Sequence, residues 1–90
     1  MNTTDLSMER LMDVALWLGL QHELSLSPRE LDVAMLLVLG YTVSQIAGRL
    51  HIARGTVLTY LERLRTKTGA RQRAQLVVRL LLASGLILTE

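Results

Sequence analysis

The chain has 90 residues, half of them hydrophobic, with no cysteine, no phenylalanine, a single tryptophan and a formal net charge of +2. A chain of this length holds one domain around one core, which this composition makes aliphatic, and the lack of cysteine excludes disulfides and thiolate metal sites. No signal-peptide pattern opens it, and its longest apolar run, Val77 to Leu88, is interrupted by Arg79 and Gly85 and falls short of the roughly 20 residues of a membrane span, so a soluble, cytoplasmic, all-α protein is expected.

From Asp5 to about Leu20, Met8, Leu11, Met12, Ala15 and Leu18 recur at helical spacing, with Thr3 or Thr4 placed to cap the start. Val14, Leu16 and Trp17 add apolar surface away from that stripe. The leading helix therefore has two surfaces to bury, one suited to its own domain and one to a second chain. Gly19 and the polar Gln21, His22 and Glu23 read as its end and a short linker.

Ser27, Pro28 and Glu30 then combine an N-cap serine, a proline at the first helical position and the glutamate of a capping box. Val33, Ala34, Leu36 and Leu37 form the inner face of the helix that follows, and Gly40 supplies its left-handed end. Thr42 and Gln45 repeat the capping logic for a short helix whose inner stripe is Ile46, Ala47 and Leu50. Ala47 is small enough for a second helix to cross closely. Gly48, one residue on, costs about 1 kcal/mol of helix propensity.

His51 and Ile52 form a tight turn, and a longer helix runs from about residue 53 to residue 68, starting on Ala53, a weak cap, and stopping at Gly69. Val57, Leu61, Leu64 and Thr68 share its inner face, which leaves Arg54, Gly55, Leu58, Thr59, Glu62 and Arg63 outside. Two short-linked helices of this kind are a helix-turn-helix. A closing helix runs from about Gln72 to Ser84. Ala74, Val77, Val78 and Leu81 make one apolar stripe on it, and Leu76, Leu80 and Ala83 a second.

Charge is unevenly spread. Residues 1–32 carry six acids against Arg10 and Arg29, a net −4, whereas residues 33–90 carry eight cations against Glu62 and Glu90, a net +6. A cationic face on one part of a small domain is the footprint expected for a polyanion partner, and on charge alone an ordinary solvated surface fits it equally well. His22 and His51 have no carboxylate or cysteine at ligand spacing, and there is no phosphate-binding loop, dinucleotide fingerprint or nucleophile elbow. No metal, no cofactor and no enzymatic activity are expected.

Leu26-Ser27-Pro28-Arg29-Glu30, Gly40-Tyr41-Thr42, Gln45-Ile46-Ala47, Arg49-Leu50, Ile52, Gly55-Thr56-Val57, Leu61, Arg63, Lys67, Gly69-Ala70 and Arg73-Ala74 resemble, in order and spacing, the LuxR/GerE-type four-helix DNA-binding domain. The resemblance covers about Leu26 to Ile87. Region 4 of sigma factors shares the central pattern, but Gly-Ala-Arg-Gln-Arg-Ala after the second helix favours LuxR/GerE. The expected architecture is that four-helix domain over residues 26–90, plus one extra N-terminal amphipathic helix within residues 1–25.

The resemblance implies a transcription regulator that binds double-stranded DNA as a homodimer, with the helix at about 53–68 in the major groove and the closing helix near the two-fold axis. Thr42, Arg54, Thr56, Leu58, Thr59, Glu62, Arg63, Lys67, Arg71 and Arg73 are the candidate DNA contacts. Leu76, Leu80 and Ala83, with Leu11, Ala15 and Trp17 of the leading helix, are the candidate dimer contacts. Leu58 and Glu62 stand where such domains often carry a cation, and Tyr60 where histidine is common. With only about 25 residues ahead of the domain, a stand-alone regulator without a controlling domain in cis is expected. Another transcription regulator or RNA polymerase is a further protein partner on this reading. The alternative is an antagonist or adaptor that kept the fold and heterodimerises with a longer regulator.

Overall fold

The structure, a computed structural model, describes residues 14–85, which form five helices and, among the described residues, no strand. They are α1 (Val14–Leu24), α2 (Pro28–Val38), α3 (Val43–Leu50), α4 (Arg54–Thr68) and α5 (Arg73–Ser84). No helix among them is long and apolar enough to cross a membrane. The expected beginning of the leading helix, from Asp5 with its Thr3 or Thr4 cap, lies outside the described residues.

Helix α1 does not stop near Gly19 as expected but continues to Leu24. Trp17 and Leu20 are buried on its inner face and Leu24 packs beside them. Burying side chains of this size is worth about 1.5–3 kcal/mol each, more than the roughly 1 kcal/mol that a mid-helix glycine costs. The end comes at Ser25, whose left-handed backbone (φ 54°) lets Leu26 N–H donate to the Gln21 carbonyl.

Both capping boxes form. In α2, Glu30 N–H donates to Ser27 Oγ at 3.1 Å while Ser27 N–H donates to Glu30 Oε1 at 2.8 Å, and Pro28 occupies the first turn. In α3, Gln45 N–H donates to Thr42 Oγ1 at 3.2 Å and Thr42 N–H to Gln45 Oε1 at 2.9 Å. Each box satisfies two amide donors that the helix itself leaves without partners.

The turn of the helix-turn-helix is short because His51 adopts a left-handed conformation (φ 57°), from which Ile52 N–H returns to the Ala47 carbonyl. Ile52 is half-buried against the core between the two helices. Helix α4 starts on Ala53 with no side-chain cap and ends at Gly69, whose φ of 77° directs its N–H to the Arg65 carbonyl at 2.8 Å. Arg79 of α5 then donates to the Thr68 carbonyl at 3.0 Å, a cation on the negative end of α4.

One core unites all five helices. Trp17, Leu20, Val33, Ile46, Val57, Leu64, Leu76 and Leu80 are its largest fully buried members. Helix α2 is central and packs on each of the other four, while α4 rests on α2, α3 and α5. Helix α1 lies on α5 and α2, so the core runs unbroken across residue 25. With three neighbours behind it, α4 has one long face left for solvent.

Candidate nucleic-acid interface

Val57, Leu61 and Leu64 point into the core and turn the opposite side of α4 outward. Along that side Gly55, Thr59, Glu62, Arg63 and Thr66 are exposed, with Arg54, Thr56 and Leu58 exposed around the helix beginning. Thr66 was not singled out from sequence, although its spacing from Thr59, Glu62 and Arg63 places it on the same face. An open groove beside this face is lined by Glu30, Thr59, Glu62, Arg63, Thr66 and Lys67.

The polar groups of this face are already partly ordered. Arg63 lies over the Tyr60 ring, 5.6 Å from its centroid, which keeps the guanidinium near the helix surface. Thr59 Oγ1 donates to the Gly55 carbonyl at 3.1 Å, which uses its proton and leaves the oxygen able to accept. Glu62 Oε1 accepts from Arg65 Nη2 at 2.6 Å, an i,i+3 pair on the exposed surface. The i,i+3 spacing of Glu62 and Arg65 is a signal the sequence carries.

Thr42 is exposed at the start of α3, where its hydroxyl oxygen already accepts from Gln45 N–H. Arg71 and Arg73 are exposed at the corner between α4 and α5. The corner is braced by Arg71 N–H, which donates to Gln75 Oε1 at 2.6 Å. With Arg54 and Arg63 these side chains supply cations along the outward face of α4 and beyond its end. That arrangement suits phosphate contacts that position a helix in a groove.

Lys67 has partners within the domain. Its ammonium donates to Glu30 Oε1 and to the Ser25 carbonyl, both at 2.7 Å, so it faces α2 and the turn before it. Glu30 is 4% exposed. Burial pushes its carboxyl up in pKa, but the Lys67 bond, the Ser27 bonds and the Lys67 charge together hold it below the usual glutamate value. The Lys67 ammonium is thus engaged within the domain, while the side chain stays partly open to solvent.

The candidate dimer contacts are also redistributed. Leu76, Leu80 and Trp17, at 1%, 0% and 2% exposure, are core residues, so their surface is taken up within the chain. Ala83 is half-buried, Ala15 is exposed, and Leu11 lies outside the described residues. The apolar side chains that α5 leaves outside are Val78 and Leu82, at 48% and 40% exposure, next to exposed Ala74. Leu76 and Leu80 are covered within the chain because α5 is apolar on two sides and its own domain occupies that one.

Comparison with known proteins agrees with this geometry. The family model described as bacterial regulatory proteins of the luxR family (GerE) matches residues 24–80. The chain is similar to the response regulator RamR of Streptomyces coelicolor, with 39% identity over 71 residues that cover 77% of this chain and 35% of RamR. The chain thus spans about a third of the length of that relative. No solved structure matches it significantly.

Proposed function

The chain belongs to the luxR family of bacterial regulatory proteins, and from that membership we propose that it binds double-stranded DNA sequence-specifically as a homodimer, with α4 in the major groove, to regulate transcription. The observation that carries this reading is the outward face of α4. It presents Arg54, Thr56, Thr59 and Arg63 on a helix held from behind by α2, α3 and α5. A recognition element must arrive in the groove already oriented, because ordering it on binding would cost affinity. Arg71 and Arg73 extend the cationic edge beyond its end.

For the homodimer, the supporting feature is the outer face of α5, where Val78 and Leu82 expose apolar surface on a small domain. Such a dimer has to set its two α4 helices one helical turn of DNA, about 34 Å, apart to meet adjacent half-sites. A fluorescence-anisotropy titration of the purified chain at low salt, on duplexes selected from a random pool, tests the reading. Binding is expected to weaken as salt rises, because each neutralised phosphate releases counterions. Equal affinity for selected and random duplexes would sink the sequence-specific form of the proposal.

Leu58 favours a second reading. It leaves 48% of its surface exposed on α4, where polar contacts to DNA would be expected, and such a residue suits an apolar protein contact. An antagonist or adaptor of this kind would co-purify with a longer regulator and show no affinity for duplex DNA.

A further inference from the structure

We infer that Glu62 is the residue of α4 that selects a base, and that the base is cytosine. The inference rests on the proposed placement of α4 in the major groove. Glu62 is the sole acid on α4 and lies on its outward face between Thr59, Arg63 and Thr66. Its side chain is 67% exposed. A carboxylate at that place cannot serve the phosphates, which repel it.

Arg65 changes what the carboxylate can do. The 2.6 Å contact engages Oε1, places a positive charge beside the acid and holds it against the helix surface, with two-thirds of the side chain still open. The pair lowers the repulsion from the DNA backbone and narrows the rotamers of Glu62 before DNA arrives. An ionised carboxylate only accepts hydrogen bonds. On the major-groove edge, guanine presents N7 and O6 and thymine presents O4, all of them acceptors that oppose it. Adenine offers its N6 amino group beside the acceptor N7, and cytosine offers the N4 amino group with no competing acceptor. Cytosine is therefore the base that Glu62 accommodates best.

Selection from a randomised duplex pool with the wild-type chain, Glu62→Ala and Glu62→Gln tests this. The wild type is expected to favour cytosine over guanine and thymine by about 5- to 150-fold at one position of each half-site. Glu62→Ala is expected to lose the preference at that position alone. Glu62→Gln is expected to move it towards adenine, whose N6 and N7 match a side-chain amide. An unchanged preference in Glu62→Ala overturns the inference and leaves DNA binding standing. So does a uniform gain of affinity on every duplex, which would mean that Glu62 only repels the backbone. Absence of duplex binding by the wild type overturns the proposed function and this inference with it.

Discussion

The ammonium of Lys67 lies 2.7 Å from the carboxylate of Glu30, tying the last turn of α4 to the first turn of α2 across 37 positions of sequence. The same Glu30 oxygen accepts from Ser27 N–H at 2.8 Å. The two partners differ in access to water, since the Glu30 side chain is 5% exposed and that of Lys67 32%. Lys67→Met strands a buried acid and is expected to destabilise the fold by about 2–3 kcal/mol. Glu30→Gln leaves Lys67 free to reach solvent and is expected to cost less. Urea unfolding of the two variants measures the difference.

The same pair makes stability depend on acid. The folded chain holds the Glu30 carboxyl below its ordinary pKa, so in the acid range the unfolded chain binds the proton more readily. The stabilisation is present above the unfolded pKa, about 4.3, and is lost as pH falls through the lower folded value. The wild type is thus expected to lose stability more steeply than Glu30→Gln below about pH 4.3. Unfolding midpoints recorded from neutral to acid pH show whether the two curves converge.

Cations that hold the fold and cations proposed to contact DNA are expected to respond differently to salt. Arg63→Ala is expected to weaken duplex binding and to lower the slope of log affinity against log salt by about 1, the loss of one phosphate contact. Lys67→Met is expected to leave that slope unchanged, because its ammonium faces Glu30 and Ser25. Titrations at three or more salt concentrations separate the two roles. A reduced slope for Lys67→Met would return it to the DNA contacts.

On α5 the inner and outer apolar faces should part in their effects. Leu80→Ala opens the core and is expected to cost about 2–5 kcal/mol. The double change Val78→Glu and Leu82→Glu touches exposed positions, so it should keep the helical far-UV signal and shift sedimentation from dimer to monomer. A wild type that sediments as a monomer at every concentration would refute the homodimer.

Two positions on the helix-turn-helix are open to improvement. Ala53 starts α4 without a side-chain cap, and Ala53→Ser is expected to add about 1 kcal/mol. Gly48 lies in the interior of α3 with open space where a Cβ would stand, so Gly48→Ala is expected to add about 1 kcal/mol. Each gain corresponds to a rise of about 4–8 °C in Tm. Thermal melts followed by circular dichroism test both.

The parts of this molecule legible from sequence are those fixed by neighbours in the chain. Ser27 with Glu30 and Thr42 with Gln45 announce helix starts because a capping box closes within three residues, and Val57, Leu61 and Leu64 announce the inner face of α4 by their spacing. The features that the sequence leaves open have a common cause. The fate of Gly19 depended on what Trp17 and Leu20 would bury against, and that of Lys67 on an acid 37 positions away. For Leu76 and Leu80 the period shows two apolar faces and is silent about which one the domain claims. Among the candidate DNA contacts, the residues on α4 other than Lys67 can be placed outward by their spacing, and Glu62 and Arg65 stand at pairing distance in sequence, but only the 2.6 Å contact shows that the pair closes.

Trp17 is the single tryptophan of the chain and lies 2% exposed where α1 meets the rest of the core. The molecule thereby contains its own optical reporter of one specific event. Its emission records whether α1 is seated, while circular dichroism records helix content throughout. Divergence of the two signals during unfolding would mean that α1 can lift away with α2 to α5 still assembled, and their coincidence that all five helices form one cooperative unit.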